Sequence, residues 1–350
     1  MTASLESPPG AALQPELDEP AQPYVVGAWV IGGLLLVFVL RFDLLPALLA
    51  GLLVFELVHL LTLRLTFVRE RRARILAVAF IAMVVVGLLS LMIVGTVFFF
   101  RSDTGGYVLL LKKSAEVIQS WRHLIPDWMA QSVPPDADAL KSRVLAWLQQ
   151  HVAAVQTAGR EATQLLVRIV IGMVIGALIA LRQAVPSNGY RPLALALANR
   201  AQRFGEAFRR ILFAQVRIAA VNAVLTALYL ALILPLFGIH LPLVKTMIFI
   251  TFVAGLIPVV GNLISNVVVV VVSLSVSPFV AAASLLYLIA IHKLEYFLNA
   301  RMIGTQIEAR AWELLLAMLV MEATFGIAGL IAAPFYYAYL KDELAARRWI

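Results

Sequence analysis

The sequence predicts an all-α, polytopic integral membrane protein, and three observations carry that prediction. Of its 350 residues, 62% are hydrophobic and only 14% charged, against about half and a quarter in a soluble domain. Its mean hydropathy is +0.93, an apolar excess too large for a globule of this size to hide from water, so lipid must solvate much of it. The apolar residues also fall into many uninterrupted runs, which excludes a single anchor on a soluble domain. A β-barrel is excluded as well. Its strands alternate apolar and polar over roughly ten residues, whereas the run 75–100 is apolar on every side apart from Ser90 and Thr96.

Residues 1–23 carry Glu6, Glu16, Asp18 and Glu19 among Pro8, Pro9, Pro15, Pro20 and Pro23. With no basic opening stretch they are not a signal peptide, and they read as a disordered cytoplasmic tail. Residues 24–100 hold three spans, at 24–40, 44–63 and 75–100, each suited to a hydrocarbon core of ~30 Å. Residues 101–164 are expected to form an extracytoplasmic helical insertion. Leu140, Val144, Trp147, Leu148, Val152 and Val155 recur in it at helical spacing, after a helical segment near 107–121 and a turn at Ser132–Asp136. The transmembrane core follows at 165–345, where runs at 165–181, 211–237 and 278–291 bring the full spans to about six. Residues 346–350 complete the chain as a second cytoplasmic tail.

Orientation follows from the arginines. Arg64, Arg69, Arg71, Arg72 and Arg74 separate the second span from the third, and Arg182, Arg191, Arg200, Arg203, Arg209 and Arg210 separate the fourth from the fifth. Both loops belong on the cytoplasmic side, and so does the N-terminus. The net charge of +8 is thereby explained by topology, and nucleic acid is excluded as a partner.

Two apolar stretches are broken. The stretch 244–276 is interrupted at Gly255-Leu256-Ile257-Pro258-Val259-Val260-Gly261-Asn262, leaving halves of ~20 Å that do not reach across a bilayer. The stretch 311–340 is broken at Phe325-Gly326-Ile327-Ala328-Gly329, with Pro334 beyond. Glycine and proline inside apolar runs predict re-entrant-type hairpins. Parity agrees: if both stretches turn back, Arg301, Arg310, Lys341, Arg347 and Arg348 all fall on the cytoplasmic side with the other basic loops. The hairpins then approach from opposite faces.

Three passages resemble the autoinducer-2 exporter family, a bacterial and archaeal group of permeases. They are Gly255-Leu256-Ile257-Pro258-Val259-Val260-Gly261, the loop Leu294-Glu295-Tyr296-Phe297-Leu298-Asn299-Ala300-Arg301-Met302-Ile303-Gly304, and Phe325-Gly326-Ile327-Ala328-Gly329-Leu330-Ile331-Ala332-Ala333-Pro334. Their order and separation cover about residues 24–345. Ala300 and Asn262 stand where the family usually has proline, which marks a divergent member. The resemblance implies secondary transport or export of a small solute, with sodium or lithium exchanged for protons in some members. It also implies a bacterial inner-membrane location and a homo-oligomer, with a pentamer as the suggested size.

Candidate chemistry sits at the two breaks and in the second span. Glu322, just before Gly326, is a carboxylate at membrane depth, where such a group faces water, a cation or a partner. Desolvation suits it to proton exchange; the alternative is a place at the membrane edge, or bonding to free hairpin amides. At the first break Pro258 and Gly261 free backbone groups, and Asn262 and Asn266 add neutral ligands for a cation or solute. The alternative there is a turn that merely packs closely. Gly326 and Gly329 belong to the matching break. Glu56 and His59 lie three apart on one helical face, either as a proton relay or as a structural pair near the cytoplasmic end. Glu313 could pair at the base of the second hairpin.

The chain has no cysteine, and it shows no HExxH pattern, phosphate loop, GxSxG elbow or paired-aspartate motif. No metal, cofactor or enzymatic activity is expected. The expected function is an ion-coupled permease for a small solute, with sodium or lithium/proton antiport as the alternative and a membrane scaffold as the rival of another class.

Overall fold

A computed structural model describes residues 22–65, 69–101, 137–182, 191–256, 260–307, 310–347 and 349. Every described element is helical: α1 Gln22–Arg41, α2 Leu45–Arg64, α3 Glu70–Arg101, α4 Ala137–Gln150, α5 Val152–Leu181, α6 Pro192–Leu228, α7 Val244–Gly255, α8 Val260–Leu274, α9 Pro278–Ile307 and α10 Ala311–Ala346. Helix α6 runs on through a π-turn, Tyr229–Ile233, to Leu236. Five of the helices are long and apolar enough to cross a membrane. The outward faces of α1, α3 and α5 carry large bare side chains such as Leu34, Met83, Leu91, Val174 and Leu178. Helices apolar on every side with so little protein around them are lipid-solvated, and the chain is a polytopic membrane protein.

Without a hydrophobic drive between helices in lipid, close packing relies on small residues. That is how α2 meets α5. A Cβ placed on Gly172 would fall on the carbonyl of Ala47, and one on Gly176 on the carbonyl of Gly51. Val54 and Val58 of α2, Ala77 of α3 and Ala180 of α5 extend this contact into a core.

One face of the molecule, called the basic face below, holds Arg64 at the end of α2 with Arg74 and Arg182. Arg74 at the start of α3 donates to the Arg182 carbonyl just past α5, 3.1 Å away. This basic face is the reference for both hairpins.

Helix α6 leads away from it, and α7 turns back along its flank. The carbonyl of Gly255, at the end of α7, accepts from Gln215 Nε2 at 2.8 Å. Gln215 lies only ~7 Å along the helix from Arg210, so the tip of this first hairpin reaches into the basic half. Helices α7 and α8 touch backbone to backbone there, since a Cβ on Gly261 would overlap the Ala254 carbonyl.

The second hairpin is folded from α10 itself. Gly326, at φ 63° and ψ −146°, interrupts the helix. Length and composition alone would count Trp312–Ala346 as one crossing helix, but the chain reverses. Glu313 accepts from the Tyr337 hydroxyl, 24 residues on, and from Lys341 Nζ at 3.3 Å, partners that a straight helix would hold ~36 and ~42 Å away. The pairing expected of Glu313 is thus present. The tip packs Met321, Phe325 and Ala328 against Val39, Leu40 and Leu45 at the α1–α2 turn. That turn lies at the end of α2 away from Arg64, with Arg41 and the Arg168–Asp43 pair beside it, so the two hairpins point in opposite directions.

The segment read as a loop after position 293 is instead helical, α9 continuing without interruption to Ile307. With Ala300 where a proline would break the helix, the backbone keeps its hydrogen bonds. The expected amphipathic helix before the fourth span is present as α4, and only His151 separates it from α5. The rest of the insertion, residues 102–136, and the tail 1–21 lie outside the described residues.

Candidate functional site

The broken first hairpin places its polar residues against α6 and α9. Asn222 Nδ2 donates to Asn262 Oδ1 at 3.3 Å, joining the long helix to the first turn of α8. Around this pair lies a small cavity lined by Asn222 and Thr226 of α6, Thr251 of α7, Asn262, Ser265 and Asn266 of α8, and Leu288, Ile291 and His292 of α9. Its free interior is about 10 Å³, room for a single water-sized group. Among the described residues its wall holds amides, hydroxyls and one imidazole, but no carboxylate and no lysine or arginine. Neutral oxygen donors converging at a helix break can replace part of the hydration shell of a monovalent cation, or hydrogen-bond a polar solute.

The hydroxyl side chains are oriented by their own helices. Thr251 Oγ1 donates to the Met247 carbonyl at 2.9 Å, and Ser265 Oγ to the Asn262 carbonyl at 3.1 Å. Polarity then continues away from the cavity toward the face opposite the basic one. Ser284 Oγ stands 3.0 Å from the Tyr229 hydroxyl and 2.8 Å from Ser273 Oγ, all three buried. Tyr287 stacks on Tyr229 with ring centroids 4.1 Å apart and donates to the Leu225 carbonyl at 2.9 Å, next to the π-turn. Such turns recur at functional sites.

The profile of the AI-2E family transporter matches residues 25–349. The chain belongs to the AI-2E transporter family. A Bacillus subtilis (strain 168) protein named "Putative transport protein YdbI" is 31% identical over 144 residues, covering 41% of this chain and 39% of that protein. This chain thus matches about two fifths of the length of that curated relative. No solved structure matches.

Within this AI-2E transporter the expected site residues part company. Asn262 and Asn266 share the cavity wall, and Gly261 makes the close approach beside it; Pro258 lies outside the described residues. Gly326 forms the second tip, and Gly329 packs on the Met321 carbonyl across it. Glu322, one turn before Gly326, is exposed on the outer surface of the first arm and is not part of the cavity wall.

Glu56 and His59 face different surroundings. Glu56 is 6% exposed, whereas His59 is exposed. The charges acting on Glu56 are Arg209, His59 and Glu206, and its Oε2 has no hydrogen-bond partner among the described residues. It therefore lies toward α6, away from the cavity.

Sequence reasoning missed the α6 contribution, although a signal was present. Gln215, Asn222 and Tyr229 recur every seven residues within an apolar run, which puts polar groups on one face of the helix. Those three residues meet the hairpin tip, the cavity and the hydroxyl file. His292, which looked dispersed in the sequence, reaches the cavity only because α9 packs against α8.

Proposed function

We propose that this AI-2E transporter is a secondary transporter of a small solute, driven by an ion gradient, whose path runs along the first hairpin through the Asn222–Asn262 cavity. The observation that supports it most is a polar cavity built at the interruption of a helix inside an apolar bundle. Buried amides and hydroxyls are costly in such surroundings unless they serve a path. Two hairpins pointing in opposite directions suit alternating access, one tip giving way on each side. In this reading Glu322 exchanges the coupling proton, and a homo-oligomer, a pentamer by resemblance, gives its exposed arm a neighbour. The membrane is the bacterial inner membrane, with the basic face and both termini toward the cytoplasm.

The size of the cavity favours one second reading, sodium or lithium/proton antiport. A free space of about 10 Å³ accepts a dehydrated monovalent ion as it stands, whereas an organic solute requires the hairpin to move.

The test uses purified protein in sealed liposomes carrying an imposed pH gradient, with internal pH followed after sodium or lithium is added. Antiport predicts that the wild-type chain dissipates the gradient and that Asn222→Ala with Asn262→Ala does so at least tenfold more slowly. Solute transport without these ions predicts no dissipation, but uptake of a small polar solute that the same double variant abolishes. If the double variant transports as the wild type does in both formats, the cavity is not on the path.

A further inference from the structure

Two of the described carboxylates are buried, Glu56 at 6% and Glu343 at 4% exposure. Glu343 is held by arginines and by the Trp29 indole. Glu56 has no such grip. Its Oε2 is sealed from solvent and meets no hydrogen-bond donor among the described residues. An ionised oxygen in that position has lost its hydration and gained no hydrogen bond in exchange, a cost that binding a proton removes.

The surroundings of Glu56 come from α6. Val54 and Val58, two residues to either side of it, pack with Ala77 of α3 and Ala180 of α5. At ~100° per residue Glu56 points the other way, toward Glu206 and Arg209, which stand one turn apart on α6. The charges that act on it are these two and His59, with Arg209 the largest of the three. Among the described residues no charge on α1, α3, α5 or α10 acts on it. Helix α10 approaches this side through Ala338, packed with Leu52, and its Asp342 pairs with Arg210. Glu206 accepts from Gln202 Nε2 of its own helix at 3.1 Å. A way in for protons is also present. His59 lies one turn nearer Arg64 and is exposed, and an exposed imidazole can take a proton from water and pass it inward.

We propose that Glu56 is a proton-binding site set between α2 and α6. Binding forms one O–H bond on the carboxylate and leaves a neutral acid, which no longer pulls on Arg209 or pushes on Glu206. Helix α2 is locked to α5 through Gly172 and Gly176, so the change falls on α6, the helix that carries Gln215 and Asn222 to the first hairpin. The site itself is independent of the transport path; only its bearing on the cavity rests on the function proposed above.

The test is infrared difference spectroscopy of the full chain in lipid vesicles, stepped through pH, after a melting curve has established that each variant is folded. A protonated carboxyl has a C=O stretching band that a carboxylate lacks. The expected result is a titrating band in the wild-type chain that Glu56→Gln loses. Arg209→Gln removes the positive charge that favours the ionised form, so it is expected to move the midpoint of that band to higher pH. By linkage the same shift measures how far the bound proton loosens α2 from α6. A Glu56→Gln chain that retains the whole wild-type carboxyl signal overturns the proposal. So does a midpoint that Arg209→Gln leaves in place. If Glu56→Gln fails to fold, Glu56→Asp carries the comparison through the frequency of the band, and an unchanged spectrum overturns it. Neither readout involves transport, so their failure leaves the proposed function standing, and a chain that transports nothing still yields the spectrum.

Discussion

The two hairpins are built alike and held in opposite ways. In the first, α7–α8, the polar contacts cluster at the tip, where Gln215 meets the Gly255 carbonyl and Asn222 meets Asn262. Its flanks are mostly apolar, with Met247, Val269 and Val272 packed on Leu230, Leu234 and Leu288 and the buried Ser273 hydroxyl bonded to Ser284. In the second, the tip is apolar and the charges sit at the base. Glu343 is 4% exposed and is gripped by Arg203 at 3.0 Å and Trp29 Nε1 at 3.1 Å. Arg200 approaches it at 3.4 Å, an ion contact without hydrogen-bond alignment. The guanidiniums of Arg200 and Arg347 lie 5.6 and 5.5 Å from the Trp29 ring centre. A tip held by neutral hydrogen bonds can exchange them for a passing polar group at little cost. A base held by buried charge cannot.

That contrast can be broken, beginning with the base. Glu343→Gln leaves Arg200, itself 6% exposed, buried without its counter-charge, and about 3–5 kcal/mol of stability is expected to be lost. The check is the melting temperature of the purified chain in detergent; a drop no larger than that of a surface substitution would mean that the base is not the anchor. The second tip comes next. Gly326 holds φ 63°, ψ −146°, a region closed to residues with a Cβ, so Gly326→Ala is expected to cost about 1–3 kcal/mol. Unchanged melting would show that this tip relaxes freely. The smallest effect on stability is expected at Glu322. As an exposed side chain its replacement by glutamine should shift stability by less than ~0.5 kcal/mol, while sharply slowing proton-coupled transport in liposomes. A Glu322→Gln chain that melts and transports like the wild type would remove it from the path.

Much of the architecture was legible because lipid imposes a length and an apolarity that few sequences reach by chance. The breaks at Gly255–Asn262 and Gly326–Gly329 were legible from paired glycines with a proline within or beyond them, a pattern that interrupts a helix, although glycines such as Gly172 and Gly176 also serve close packing in a run that crosses. Half of the cavity was legible too, through Asn262 and Asn266, since an amide beside a helix break is conspicuous. The other half comes from α6 and α9, and no rule of local spacing says which face of a distant helix will meet a hairpin. Glu343 was harder still. A glutamate among arginines near a chain end looks like an ordinary solvated terminus, and only packing against Trp29 and α6 makes it a buried anchor. The helix through 294–307 was missed because a family loop was assumed where Ala300 permits continuation.

The π-turn at Tyr229–Ile233 sets the angular phase of all that follows it. An α-helix turns its face by ~100° per residue, and this wider turn absorbs a residue without breaking the column. Gln215, Asn222 and Tyr229 are therefore indexed to one azimuth, and the residues leading to the first hairpin to another. A change of one residue in this stretch is a rotation and not a rupture. It would swing the attachment of the hairpin around the α6 axis while leaving every cavity side chain in the sequence untouched.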